Sequence, residues 1–159
     1  MNPRIVIGDW DDLREDAQRL RIEVFVIEQG VPIELEWDEG DEVSIHAVAY
    51  DEAGQAVATG RLLPDGHIGR MAVRQSARGQ RIGSQVLKAL LAEAAREGHT
   101  ELVLHAQLHA WTFYERHGFV GEGEEFMEAG IAHRRMRLRL TGSVDGPDCR
   151  PDASPEVSE

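Results

Sequence analysis

The passage from residue 67 to residue 98 constrains this chain most. A strand-like apolar run, HIGRMAV, gives way to a polar, glycine-bearing stretch, RQSARGQRIGS. A helical pattern follows, with Val86, Leu87, Leu90, Leu91, Ala94 and Ala95 on one face and Gly98 as its stop. A further strand pattern over 101–106 makes the unit strand, loop, long helix, strand, which implies a parallel pair joined by a crossover. Backbone N–H groups at the start of such a helix have no helical acceptors, and glycines let a ligand approach the main chain, so the loop suits a pyrophosphate. It matches neither G-x-x-x-x-G-K-[ST] nor G-x-G-x-x-G, which disfavours a nucleoside triphosphatase or a dinucleotide-binding enzyme. A loop that only caps its helix is the competing reading.

The rest of the chain surrounds this unit. An apolar run over 4–7 precedes a helix that Asp9, Asp11 or Asp12 caps and that buries Leu13, Ala17, Leu20 and Val24 before reaching Glu28. Strand patterns at 44–50 and 55–63 are joined by a hairpin turn at 51–54, and 67–73 is the third consecutive strand. After 101–106 come a short helix at 110–117 and strands at 119–126 and 131–140. The predicted fold is α/β (α+β), a single domain with a mixed central sheet and helices on both faces, in the order β-α-β-β-β-α-β-α-β-β. Its 159 residues at 42% hydrophobic content suffice for one such core without disulfide or metal staples. The boundary falls after residue 140, where 141–159 reads as a disordered acidic tail.

Charge narrows the partners. Against 29 Asp and Glu there are 17 Lys and Arg, a net charge of −12, the wrong sign for a phosphate-backbone binder. Removing the tail's −4 leaves −8 on residues 1–140. Neither a membrane-spanning run nor a signal-peptide pattern is present, so a cytoplasmic protein is expected, with no nucleic-acid or membrane partner. The single cysteine, Cys149, allows no intrachain disulfide. His105 and His109 lie four apart but span a strand end and a helix start without a third ligand, so no metal is expected.

The stretch IGRMAVRQSARGQRIGSQVLKALLAEAAREG, followed by FYERHGF, resembles the acetyl-CoA-binding core of the GNAT superfamily of N-acetyltransferases, whose loop pattern is Q/R-x-x-G-x-G/A. VFVIEQGVP, EWDEGDE, ATGRLLPDG, LHAQLHAWTFYERHGF and FMEAGIAHRRM extend the likeness to the ElaA-like or YjcF-like branch, over about residues 5–140. The resemblance implies acetyl-CoA as cosubstrate and direct attack by a bound amine in a ternary complex. It implies a phosphate loop made by Arg78, Gly79, Gln80, Arg81, Ile82, Gly83 and Ser84, in which Arg81 departs from the pattern by replacing its first glycine. Met71, Ala72 and Val73 match the strand end that pairs with the pantetheine amides, and Gln107 stands where an asparagine is common. Tyr114 matches the tyrosine that protonates the departing thiolate. By residue type Phe113 and Phe119 read as core, and Phe113 is also counted among the CoA contacts.

Acyl transfer supports these roles, because a phenol with a pKa of about 10 gives up a proton to a thiolate at little cost. For Tyr114 a plain core tyrosine is the alternative. An ammonium acceptor must first lose a proton, and the candidates for base or acceptor site are Glu28, Glu36, Asp38, His46, His105, Glu128 and His133. Six acids between Glu34 and Glu42 point to a small or extended cationic amine, entering between the first helix with its acidic loop and the C-terminal strands. A solvated surface is their competing reading. The VFV, EWDEGDE and ATGRLLP stretches are also similar to acyl-homoserine-lactone synthases, and a CoA-binding regulatory module without turnover is a third possibility. The acceptor's identity stays open, as does a homodimer.

Overall fold

The computed structural model describes residues 2–36 and 38–140, so the predicted tail lies outside the described residues. Strand β1 (Arg4–Gly8) leads into helix α1 (Trp10–Arg21), whose start is fixed by the Asp9 carboxylate accepting from the Asp12 amide at 3.0 Å. The helical path continues to Glu28 in the wider π form over Ile22–Glu28. A turn of 3-10 helix at Ile33–Leu35 and the short α2 (Gly40–Val43) follow, where the sequence suggests only a loop. Then come β2 (Ile45–Tyr50), β3 (Ala56–Leu62), β4 (His67–Val73), α3 (Ile82–Arg96), β5 (Glu101–Gln107), α4 (Trp111–Arg116), β6 (Val120–Glu128) and β7 (Ile131–Arg139).

The seven strands form one mixed sheet in the order β1-β2-β3-β4-β5-β7-β6, in which only β4 and β5 run parallel. Alternation along β2 divides the core. Ala47 and Ala49 face α3, which buries Ile82, Val86, Leu87, Leu90 and Ala94, whereas Val48 faces Trp10, Leu13, Ala17 and Leu20 of α1. Covered on both faces, β3 is buried along its whole length.

Two features of β4 shape the site. Gly60 of β3 stands opposite both Arg70 and Met71, a bulge that puts Arg70 at φ +52°. A Cβ on Gly60 would lie 2.5 Å from Met71 Sδ, so the bulge needs glycine across from it. Just ahead of the bulge, β4 and β5 stop pairing. Their register contacts are His67 with Val103 and Ile68 with Leu104, after which the two strands diverge.

Candidate active site

The divergence opens a cleft of about 790 Å³ between the α1 side of the sheet and the parted strands. Met71, Ala72 and Val73 line one wall, and Gln107, Phe113 and Tyr114 line the other. Arg78 and Gly83 lie at one end, with Glu28 and Glu36 along the helix side and Asp38, His105 and His133 toward the other end. Thus the structure gathers most of the sequence's candidates into one cavity. Of the loop residues, Gly79, Gln80, Arg81, Ile82 and Ser84 do not line it.

At the start of α3 the first-turn amides have no intrahelical acceptor, and the N-cap residue, Arg81, provides no side-chain cap. Arg81 adopts the left-handed conformation, φ +65° and ψ +19°, which explains why glycine belongs there: the departure strains the backbone, not only the side chain. Ile82 is core, fully buried. Ser84 Oγ meets His117 Nε2 at 2.7 Å, and His117 Nδ1 donates to the Phe113 carbonyl at 2.9 Å, which ties the start of α3 to the helix that carries Tyr114. Arg78 makes a two-pronged ion pair with Glu28 (2.7 and 2.8 Å) and donates from Nε to the Val73 carbonyl at 2.9 Å. Hydrogen bonding from Arg78 lowers the Glu28 pKa. Glu28, one of the candidates for base or acceptor site, is thus engaged by Arg78 at the loop end of the cleft. Gln107 is clasped by Gln29 through reciprocal amide bonds of 3.2 and 3.0 Å.

Tyr114 packs edge-on against Phe113 and Phe119, with ring centroids 5.0 and 6.0 Å away. Its hydroxyl has no hydrogen-bond partner among the described residues, and burial pushes its pKa well above the ordinary tyrosine value. The phenol keeps its proton throughout the physiological range. Tyr114 is at once a residue of the core and a residue of the cleft wall.

The acidic loop differs most from expectation. Glu36 and Asp41 are buried, not solvated. Arg21 Nε bonds the Glu36 carboxylate, its Nη2 reaches the Glu36 carbonyl at 2.8 Å, and its Nη1 reaches Asp41 at 2.8 Å. Arg61 holds Asp38 at 2.7 and 3.0 Å and Asp41 at 2.8 Å, and Arg70 reaches Asp38 at 3.1 Å. Hydrogen bonding from Arg61 holds the Asp38 carboxyl well below the usual carboxylate range, at about 2. Burial pushes Glu36 upward despite Arg21. Three carboxylates and three guanidiniums close a balanced network, so Glu36 and Asp38 do not form the free anionic field that the sequence suggests. His46 is buried behind it, with Nε2 on the Asp41 carbonyl at 2.9 Å and its ring against Trp10, outside the cleft.

Sequence reasoning missed Arg21, Arg61 and Arg70. One signal was available: Arg21 continues the apolar stripe of α1 one turn after Ala17, and Arg61 interrupts the otherwise apolar ATGRLL, positions where an arginine needs buried acids. At the far end of the cleft, His67, His105 and His133 stand with Phe126 and Glu128. His105 lies edge-on to His67 (5.9 Å) and Phe126 (5.1 Å), and His133 stacks on Phe126 at 5.9 Å. Among the described residues no group of three His, Cys, Asp or Glu is arranged to hold a metal.

A mixed sheet whose parallel pair parts over a cleft, leaving the β5-facing edge of β4 without a strand partner along one wall and orphan helix amides at one end, is the architecture of a transferase that takes a CoA-linked acyl donor. The chain matches the family model "Acetyltransferase (GNAT) domain" over residues 13–140, belongs to that family, and is an N-acetyltransferase. It is 39% identical over 137 residues to the "Uncharacterized N-acetyltransferase YjcF" of Bacillus subtilis (strain 168), covering 84% of this chain and 97% of that one. An acyl-CoA N-acyltransferase from Pseudomonas aeruginosa superposes with TM-score 0.77 at 35% identity, over 86% of this chain and 99% of the other. Escherichia coli ElaA gives the same TM-score and coverage at 26% identity. The CoA-dependent acyl-homoserine lactone synthase BjaI shares the fold at TM-score 0.73 and 16% identity, over 87% of this chain and 84% of its own. No helix among the described residues is long and apolar enough to cross a membrane.

Proposed function

We propose that the chain transfers an acetyl group from acetyl-CoA to the primary amine of a small molecule by direct attack, with both substrates in the cleft at once. One observation carries this reading: Tyr114, whose hydroxyl has no hydrogen-bond partner among the described residues, lines the cleft that opens where β4 leaves β5. Over Met71 and Ala72 the edge of β4 that faces β5 has no strand partner and suits the pantetheine amides, the Val73 carbonyl being taken by Arg78, and the first-turn amides of Ile82, Gly83 and Ser84 suit the pyrophosphate. Tyr114 gives its proton to the departing thiolate. The acceptor enters between the 31–42 segment and the β6–β7 end, where Glu128 and three histidines line the cleft. With Glu36, Asp38 and Asp41 neutralised by arginines, a cationic acceptor rests on Glu128 and the overall acidity alone.

Thiol release from acetyl-CoA across a panel of polyamines, amino acids, aminoglycosides, peptide N-termini and S-adenosylmethionine, with mass spectrometry of the products, tests the reading. The expected result is an N-acetylated amine formed one-for-one with thiol. Tight acetyl-CoA binding without thiol release from any amine supports the regulatory module instead, and acylation of S-adenosylmethionine supports the synthase.

A further inference from the structure

We infer that His105, held by Glu128, is the general base that takes the proton from the acceptor ammonium; this rests on the amine-acetylating reading above. His105 is the first residue of β5 beyond the last register pair with β4, Ile68 with Leu104, so its ring stands where the strands open. Both His105 and Glu128 line the cleft and stay partly open to solvent, at 37% and 45% of the side chain. His105 Nδ1 lies 3.1 Å from Glu128 Oε1. A carboxylate only accepts, so Nδ1 carries the hydrogen and Nε2 keeps its lone pair. The same carboxylate stabilises the imidazolium once Nε2 has taken a proton, which is the logic of a carboxylate–histidine pair in general-base catalysis.

The other histidines at this end fit less well. His133 donates Nδ1 to the Ile131 carbonyl at 2.7 Å, a partner without charge, and is 6% exposed, so it has neither a carboxylate behind its ring nor an open face for an acceptor. His67 pairs with Asp65 at 3.0 Å but sits where β4 and β5 are still bonded. The charged and titratable neighbours facing His105 are Glu128 of β6, His67 of β4 and Arg135, its register partner on β7, whose guanidinium is occupied by Glu122 at 2.7 Å.

The proton balance closes. The ammonium gives one proton to His105 Nε2, and the freed lone pair attacks the thioester carbonyl carbon. The C–N bond forms and the C–S bond breaks as Tyr114 protonates the thiolate. A second N–H proton leaves the new amide nitrogen and replaces the one Tyr114 gave, through solvent, while the imidazolium releases its proton to bulk. Amide, thiol and one proton are the products. Glu128 is a positioning residue in this scheme, acting through the ring.

Two measurements on the full chain test it. Nitrogen NMR of labelled histidine reads the His105 tautomer without any acceptor: Nδ1–H is expected in the wild type, with a shift toward Nε2–H in Glu128→Gln. Steady-state kinetics with an amine found by the panel should show kcat/KM reduced about 10²–10⁴-fold in His105→Gln. That variant should also lose the acid limb of the pH profile while acetyl-CoA affinity, read by calorimetry, stays within twofold. His133→Gln and His67→Gln should keep the limb. An Nε2–H tautomer in the wild type overturns the pair whatever the acceptor, and so does an acid limb that survives in His105→Gln. Absence of thiol release by the wild type, with the Nδ1–H tautomer in place, would instead remove the acetyl-transfer reading and with it the need for a base.

Discussion

Replacing Arg81 by glycine should stabilise this protein, although it removes a whole side chain. Arg81 sits at φ +65°, a conformation that costs an L-residue roughly 1–2 kcal/mol. Its side chain is exposed and forms no ion pair or hydrogen bond with the described residues, so little packing is lost. As the N-cap of α3 it also places a cation at the positive end of the helix dipole, unfavourable by about 0.3–1 kcal/mol. Against these gains stands the greater freedom of glycine in the unfolded chain, about 0.5–1 kcal/mol. The net is a stabilisation of about 1 kcal/mol, or a rise in Tm of roughly 2–4 °C for a chain of this length. Arg81→Ala separates the causes, because it removes the charge while keeping the Cβ that makes the left-handed backbone costly. Denaturant and thermal melts of wild type, Arg81→Ala and Arg81→Gly at one ionic strength give the comparison. If the glycine variant is no more stable than the alanine variant, the backbone argument is wrong.

Tyr114→Phe should lower kcat on the order of ten- to a thousandfold while acetyl-CoA binding, by calorimetry, stays unchanged; wild-type turnover would remove the phenol from the mechanism. Asp38, held at about 2 by Arg61 and Arg70, contributes stability that is complete above the unfolded carboxyl value of about 4 and is lost as pH falls from there through about 2. Melts across that window should therefore be less steep in Asp38→Asn than in wild type, and equal slopes would contradict the pairing. Gly121→Ala would set a Cβ 2.1 Å from Trp111 Cη2, at the first residue of the helix bearing Tyr114. It should cost about 1–3 kcal/mol in stability and lower turnover together, whereas a neutral melt would show that the indole moves freely.

The strand, turn and helix on one side of the cleft were legible because their signal is local. Residues 67–98 present a strand, a glycine-bearing turn and an amphipathic helix in sequence order, and the fold keeps them so. Helices on both faces followed from the order of strands and helices, and in the structure Ala47 and Ala49 of β2 face α3 while Val48 faces α1. The acceptor side was hidden because its contacts join distant segments. Six acids in nine residues are visible in the sequence, yet Arg21, Arg61 and Arg70 reach Glu36, Asp38 and Asp41 from α1, β3 and β4. Which carboxylates remain free depends on that tertiary pairing. His105 and Glu128 likewise belong to segments distant in sequence, β5 and the end of β6, which the sheet order β5-β7-β6 brings together. The π-helical form of Ile22–Glu28 has no residue signature here, since its apolar spacing also suits an α-helix.

The central claim is that the wedge between β4 and β5, closed at one end by the first turn of α3, holds a CoA-linked donor. Calorimetric titration of acetyl-CoA into the wild type and into Gly83→Trp tests it most directly, because Gly83 lies in that first turn and lines the cleft. One equivalent should bind the wild type, and none should bind a Gly83→Trp variant that still unfolds cooperatively. Equal affinity in the two folded proteins would place the donor elsewhere and contradict the assignment of the cleft.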